Sequence, residues 1–330
     1  MKDLKRETAC HRARKFLPDI ANHIYQISED KGIIFYGDED LLVLYTIQSV
    51  MSKRFGITVY ALCYMLNHIH QLSAAHAGRD LSAYVGKVTS LFSTEYNKFM
   101  GRSGQLFRSR FGSAPKEGGK KFRSCHNYIA NNAPEKKICK RAIEYRWNFL
   151  AYAVSDFPFS VPYQKAKASR KMRLAVSIVD DHFDKGHYLG HPVIDKLKGM
   201  LNQCEWQQLI DIIITKYRFI RYDLSAGYFG GFENMVKAPE TNLGEDREIA
   251  EDFGSATYIP YYKMIKRLYD LGYKGGMRSP FKLPPSKRNE IIAEFSCRKL
   301  GNYTQIARLF HIDIEEVKEI VWHPDLSINF

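Results

Sequence analysis

The chain has 330 residues, 45% hydrophobic and 26% charged, which excludes a disordered segment and leaves room for two domains or one domain with a long extension. Its formal charge is +13 and no apolar run approaches the roughly eighteen residues needed to cross a bilayer, so a polyanionic partner is expected and a membrane span is not. Six cysteines without a CxxC pair, and a start at Met1-Lys2-Asp3-Leu4-Lys5-Arg6 with no apolar leader behind it, are expected of a reduced cytoplasmic protein.

In chain order, two short apolar stretches come first, His23–Ile27 and Ile33–Phe35, around the turn Glu29-Asp30-Lys31-Gly32. Asp38 or Asp40 is placed to N-cap a helix whose Leu41, Leu42, Leu44, Ile47, Val50 and Met51 recur at helical spacing up to Phe55-Gly56. Ile57–Met65 is β-branched and aromatic and reads as a strand, followed by a bend at Leu66-Asn67 and a returning strand at His68–Leu72. Asp80 can cap a second helix through Leu81, Val85, Val88, Leu91, Phe92 and Phe99, closed by Gly101. Gly104–Gly112 reads as short and extended, and a third helix starts near Gly119-Lys120 and runs to Asn132, with Pro134 as its stop.

That order is β-α-β-β-α-β with a closing helix: an α+β, ferredoxin-like antiparallel sheet with helices on one face. The character changes after Tyr152. The expected organisation is a first domain over 1–157, a basic linker over 158–173, and a mainly helical region over 174–330, with helices at Leu174–Phe183 and Pro192–Arg221 and an acidic stretch at Thr241–Asp252.

The chemistry centres on Asn67-His68-Ile69-His70. Alternate residues of a strand share a face, so His68 and His70 project together as a pair of imidazole ligands. In the third helix Tyr128 and Asn132 are four apart and share a face. Two imidazoles and an amide oxygen suit a divalent cofactor, Mg²⁺ or Mn²⁺, with positions left open for a phosphate. Tyr128 would then attack in line, leaving a 5′-phosphotyrosine and a free 3′-hydroxyl. By spacing alone Tyr128 could equally be an ordinary tyrosine of an amphipathic helix, one of twenty-one in the chain. Between Lys98 and Arg141 twelve Lys/Arg face only two acids, Glu117 and Glu135. A basic run interleaved with glycines and aromatics is the footprint of a nucleic acid.

The stretch from about Ala21 to Tyr152 resembles the single-tyrosine HUH transposases, specifically their REP-associated tyrosine transposase branch. The resemblance rests on ordered motifs: His23-Ile24-Tyr25-Gln26, Ile34-Phe35, Met65-Leu66-Asn67-His68-Ile69-His70, Tyr96-Asn97, Gly101-Arg102-Ser103-Gly104-Gln105-Leu106-Phe107, Arg110-Phe111, Tyr128-Ile129-Ala130-Asn131-Asn132 and Tyr145-Arg146-Trp147-Asn148. It implies an HUH fold with His68 and His70 as metal ligands, Tyr128 as nucleophile and Asn132 as third ligand. It also implies cleavage and rejoining of single-stranded DNA at hairpins of palindromic repeats. Leu66 stands where that family usually has proline before Asn-His, and its Asn-Pro is interrupted here as Asn132-Ala133-Pro134, which leaves Asn131 and Asn132 to compete for the metal, helix geometry favouring Asn132.

Charge and placement make Arg102, Arg108, Arg110, Lys120, Lys121 and Arg123 the candidate DNA contacts. The expected partner is single-stranded or hairpin DNA in the cytoplasm, on the nucleoid, with no membrane or small-molecule substrate and with a homodimer left open. Tyr96, on the second helix, is the rival nucleophile. Residues 302–322 resemble a helix-turn-helix, with Ala307 at the helix crossing, His311 in place of the turn glycine, and Glu315, Glu316 and Glu319 on the helix that would read DNA. The competing readings are a non-catalytic DNA-binding regulator derived from such a transposase, and a His-x-His metallohydrolase, which lacks further His and Asp ligands.

Overall fold

The computed structural model describes residues 15–108, 110–241, 258–271 and 280–322; the first fourteen residues and the acidic stretch after Thr241 lie outside them. Four strands, β1 (Asn22–Ile27), β2 (Thr58–Met65), β3 (His68–Ala74) and β4 (Gly112–Pro115), form one sheet in the order β2-β3-β1-β4, every neighbouring pair antiparallel. The expected α+β fold class is the observed one.

The register positions the site. His70 lies opposite Tyr25 on β1 and Cys63 on β2, and His68 opposite Ile27 and Met65. Directly opposed residues share a face, so the histidines, Tyr25 and His23 all point to one side. Gln71 points to the other, where it bonds Gln48 of α1 (Asp38–Arg54) and Tyr84 of α2 (Gly78–Met100). α3 (Gly118–Glu135) runs across the histidine face instead, and this brings Tyr128 to the histidines.

Several element boundaries differ from expectation for local reasons. β4 begins at Gly112, not Gly104: the segment before it is irregular, tied to β1 by Arg108 N–H to the Ile27 carbonyl and Glu29 N–H to the Leu106 carbonyl. α1 is preceded by Gly37 rather than capped by Asp38 or Asp40. Asp38, Glu39 and Asp40 occupy its first turn, favourable at the positive end of the helix dipole, and Asp40 Oδ2 reaches back to accept the Tyr36 N–H. Pro134 sits inside the last turn of α3 instead of stopping it. The Ala130 carbonyl, which a proline four residues on cannot serve, accepts Asn148 Nδ2 at 3.1 Å.

The remaining helices are α4 (Arg170–Asp184), α5 (His191–Met200), α6 (Gln203–Lys216), α7 (Tyr222–Phe229), α8 (Phe232–Thr241), α9 (Ile259–Asp270), α10 (Pro285–Cys297), α11 (Tyr303–Phe310) and α12 (Ile314–Trp322). The helix expected over 192–221 is divided at Leu201, where Asn202 and Glu205 form a capping box that starts a new one. The basic segment between the halves is tethered: buried Asp211 of α6 accepts from the Tyr152 hydroxyl, the Phe159 N–H and the Ser160 hydroxyl. The apolar core runs without a break from the sheet into these helices, with Tyr45 of α1 stacked on Phe149 and Phe149 edge-on to Tyr64 of β2. Among the described residues no helix is long and apolar enough to cross a membrane.

Gly112 matters at the sheet edge beside the site. A Cβ there would overlap the Tyr25 ring, which lies stacked 6.3 Å from His70. Gly112→Ala is expected to cost about 1–3 kcal/mol of stability by overpacking. Chemical denaturation checks this, and a midpoint equal to wild type would show that the ring moves aside freely.

Candidate active site

The site begins with Asn67, in the tight turn between β2 and β3. Its Nδ2 donates to the Lys31 carbonyl at 2.9 Å, which fixes the amide so that Oδ1 faces His68. Oδ1 can only accept, so His68 Nδ1, 2.8 Å away, carries the proton and His68 Nε2 carries the lone pair. His70 Nδ1 lies 3.0 Å from Nε2 of His23. That bond can run either way, and donation from His70 is the direction that gives it the same tautomer as His68. The two rings stand nearly perpendicular, 84° apart with centroids 4.9 Å from each other, and both residues are fully buried. This is the outer-shell pattern of metal-binding histidines: each ring's Nδ1 is anchored so that Nε2 is presented.

α3 supplies the rest. The Tyr128 ring lies edge-on to His70 at 5.6 Å and to His23 at 5.7 Å between centroids, and is half-buried. One turn on, Asn132 lies close enough to His68 to favour its protonated form, and its Oδ1 is buried with no hydrogen-bond donor among the described residues. An orphaned, buried amide oxygen beside two Nε2-presenting imidazoles fits a divalent cation. Asn131 points elsewhere, its Nδ2 donating to the Pro239 carbonyl of α8 at 2.7 Å. The structure therefore brings His68, His70, Asn132 and Tyr128 together. Among the described residues no group of three His, Cys, Asp or Glu side chains is arranged to hold a metal, so any ion here would need the amide.

Electrostatics keep the cluster neutral. Burial pushes the pKa values of His23 and His68 well below the usual histidine range, and the neighbouring His70 lowers both further. Two lysines are also felt: Lys116, buried at the end of β4, by His23, and Lys136 by His68. Lys136 caps the C-terminal end of α3, four residues after Asn132, a spacing visible in the sequence. His23 was visible too, alternating with Tyr25 and Ile27 on β1, but it becomes informative only once the register sets β1 beside β3. Lys116 carries no local signal that separates it from the rest of the basic run.

Of the expected DNA contacts, Arg108, Arg110, Lys120, Lys121 and Arg123 are exposed, with Arg123 also donating to the Tyr228 carbonyl. Arg102 is half-buried, its guanidinium bonded to Asn97 Oδ1 at 2.8 Å and to the Gln105 carbonyl. Tyr96 lies in the core of the opposite face, fully buried, with rings of Phe92 and His191 as neighbours rather than the site histidines.

The helix-turn-helix-like segment is α11 and α12. His311 holds its turn in the left-handed conformation at φ 54°, which glycine would normally serve, and its Nε2 donates to the Ile33 carbonyl at 2.6 Å. The turn is thus docked on the loop after β1. On α12, Glu315 and Glu319 are exposed and Glu316 pairs with Arg288.

Residues 17–132 match the family model described as Transposase IS200 like. That stretch is similar to the IS200-like transposases. It contains both strand histidines and Tyr128 and ends on Asn132, so the transposase match covers the whole cluster but none of the C-terminal helices. Among solved structures, one described as the REP-associated tyrosine transposase bound to a REP hairpin is similar at 13% identity and a TM-score of 0.39, over 44% of this chain and 84% of that one. No curated protein matches the chain.

A pH dependence follows from the buried histidines. His126, on α3 and enclosed beside Phe122 and Phe229, has its pKa pushed down by burial to about 4, and His23 and His68 shift in the same direction. Unfolded, these rings take up protons near pH 6.5, so below that pH the unfolded chain binds more protons than the folded one. Stability is therefore expected to fall as the pH drops from about 6.5 toward 4. Denaturation midpoints across that range check it; a flat profile would contradict the burial of these rings in neutral form.

Proposed function

We propose that the chain is a metal-dependent, single-strand DNA endonuclease and strand transferase acting on hairpin DNA through Tyr128. The observation that carries this reading is the Tyr128 ring set edge-on against His70 and His23, with Asn132 one helical turn away. A divalent cation, Mg²⁺ or Mn²⁺, would be held by His68, His70 and Asn132 and would supply Lewis-acid polarisation of the scissile phosphate. The chain's own residues do the remainder. The Tyr128 oxygen forms a bond to phosphorus as the P–O3′ bond breaks; the phenolic proton is lost and O3′ leaves as a hydroxyl. The product is a 5′-phosphotyrosine, and attack by another 3′-hydroxyl reverses the step and rejoins the strand.

Lys116 and Lys136 flank the cluster at its β4 side and at the end of α3, where their charge counters the anionic phosphate and the phenolate that leaves on rejoining. Arg108, Arg110, Lys120, Lys121 and Arg123 contact the DNA backbone, and Arg102 braces the loop that carries two of them. The work is done on cytoplasmic, nucleoid DNA. Hairpin DNA is the substrate because the motifs resemble those of the REP-associated branch.

Wild-type protein with Mn²⁺ and labelled single-stranded hairpin DNA is expected to give a covalent adduct on a denaturing gel. Tyr128→Phe should lose the adduct while retaining salt-sensitive binding, and chelation should have the same effect. An adduct that persists in Tyr128→Phe sinks the nucleophile assignment. Binding without any adduct, whatever the metal, would favour a non-catalytic regulator.

A further inference from the structure

The outermost link of the hydrogen-bond chain behind His68 comes from the C-terminal half, outside the transposase match. Tyr258, immediately before α9, donates its hydroxyl to Asn67 Oδ1 at 2.7 Å, the same oxygen that receives His68 Nδ1–H. All three side chains are buried. The hydroxyl is 3.4 Å from His68 Nδ1 itself, so it completes a closed triangle around the ring nitrogen.

The same C-terminal region grips the other support of Asn67. Lys31, whose carbonyl fixes the Asn67 amide, belongs to the loop after β1. α11 and its turn clasp that loop through Ile33 N–H to the Arg308 carbonyl, His311 to the Ile33 carbonyl, and the Tyr36 hydroxyl to the Leu309 carbonyl. Both groups that orient Asn67 are therefore held by residues beyond 257. With only the Lys31 bond, the amide could swing about its own side-chain torsions. The second bond at Oδ1 pins it, and with it the direction of His68 Nε2.

We propose that Tyr258 is a positioning residue for the metal site: through Asn67 it aims His68 Nε2, making cation affinity depend on the C-terminal helices. This rests on the metal reading of His68, His70 and Asn132 above.

Manganese binding to the full-length protein, followed by the EPR signal of free aqueous Mn²⁺, tests it. Tyr258→Phe keeps the ring and removes the hydroxyl, and is expected to weaken Mn²⁺ binding about 10-fold, within the range for an outer-shell partner. In an Asn67→Ala background the same substitution should add nothing, because its effect passes through that amide. Tyr262→Phe, which removes a hydroxyl from the same helix without touching Asn67, should bind Mn²⁺ as wild type does. Unchanged affinity in Tyr258→Phe, an equal loss in the Asn67→Ala background, or an equal loss in Tyr262→Phe would each overturn the proposal. A wild-type protein whose Mn²⁺ binding survives His68→Ala fails at the metal reading itself, a result distinct from the other three.

Discussion

Each strand histidine gives up its Nδ1 to a neighbour, and that constraint decides what the rest of the site can do. An imidazole has one donor and one acceptor when neutral, so committing Nδ1–H to Asn67 leaves His68 with its lone pair at Nε2. His70 Nδ1 is paired with His23 Nε2, and donation from His70 is the direction that gives it the same tautomer. Strand alternation then puts both lone pairs on one face, and α3 crosses that face with Tyr128 and Asn132 one turn apart. Burial contributes a second effect: it holds His23 and His68 neutral, which is the protonation state a metal ligand requires.

The cost of this arrangement is borne by the surrounding fold. Neutral, buried, polar rings need partners on every side, and the partners come from distant parts of the sequence: His23 from the first strand, Lys31 from the loop after it, Tyr258 from the C-terminal helices. Tyr258 is separated from Asn67 by 191 residues, yet donates to the same oxygen as a residue next to it in sequence. The helix-turn-helix-like segment fits the same pattern. Its turn is docked on the loop that orients Asn67, and its second helix presents Glu315 and Glu319 outward, chemistry better suited to bracing than to gripping phosphates.

Much of this was legible in the sequence, and the limits are instructive. The hairpin carrying His68 and His70, and the helix carrying Tyr128 and Asn132, could be read from period-two and period-four spacing, because both depend only on local geometry. The choice between Asn131 and Asn132 also follows helix geometry, and the structure gives the physical reason: Asn131 is taken by the Pro239 carbonyl. Boundaries set by tertiary partners were not legible. Pro134 reads as a stop, yet the helix passes through it because Asn148 serves the carbonyl that proline abandons. Arg102 reads as a free cation in a basic run, but Asn97 and Gln105 hold its guanidinium. His23 and Tyr258 were out of reach for a different reason: each acts on the site across the fold, and no spacing along the chain connects them to it.

The central claim is that His68, His70 and Asn132 hold one divalent cation beneath Tyr128. Anomalous diffraction from crystals soaked in Mn²⁺ tests it most directly. The account predicts a single strong peak bonded to His68 Nε2, His70 Nε2 and Asn132 Oδ1, on the Tyr128 side of the sheet. A peak that omits either histidine, or crystals that bind Mn²⁺ elsewhere and leave this cluster empty, would contradict it.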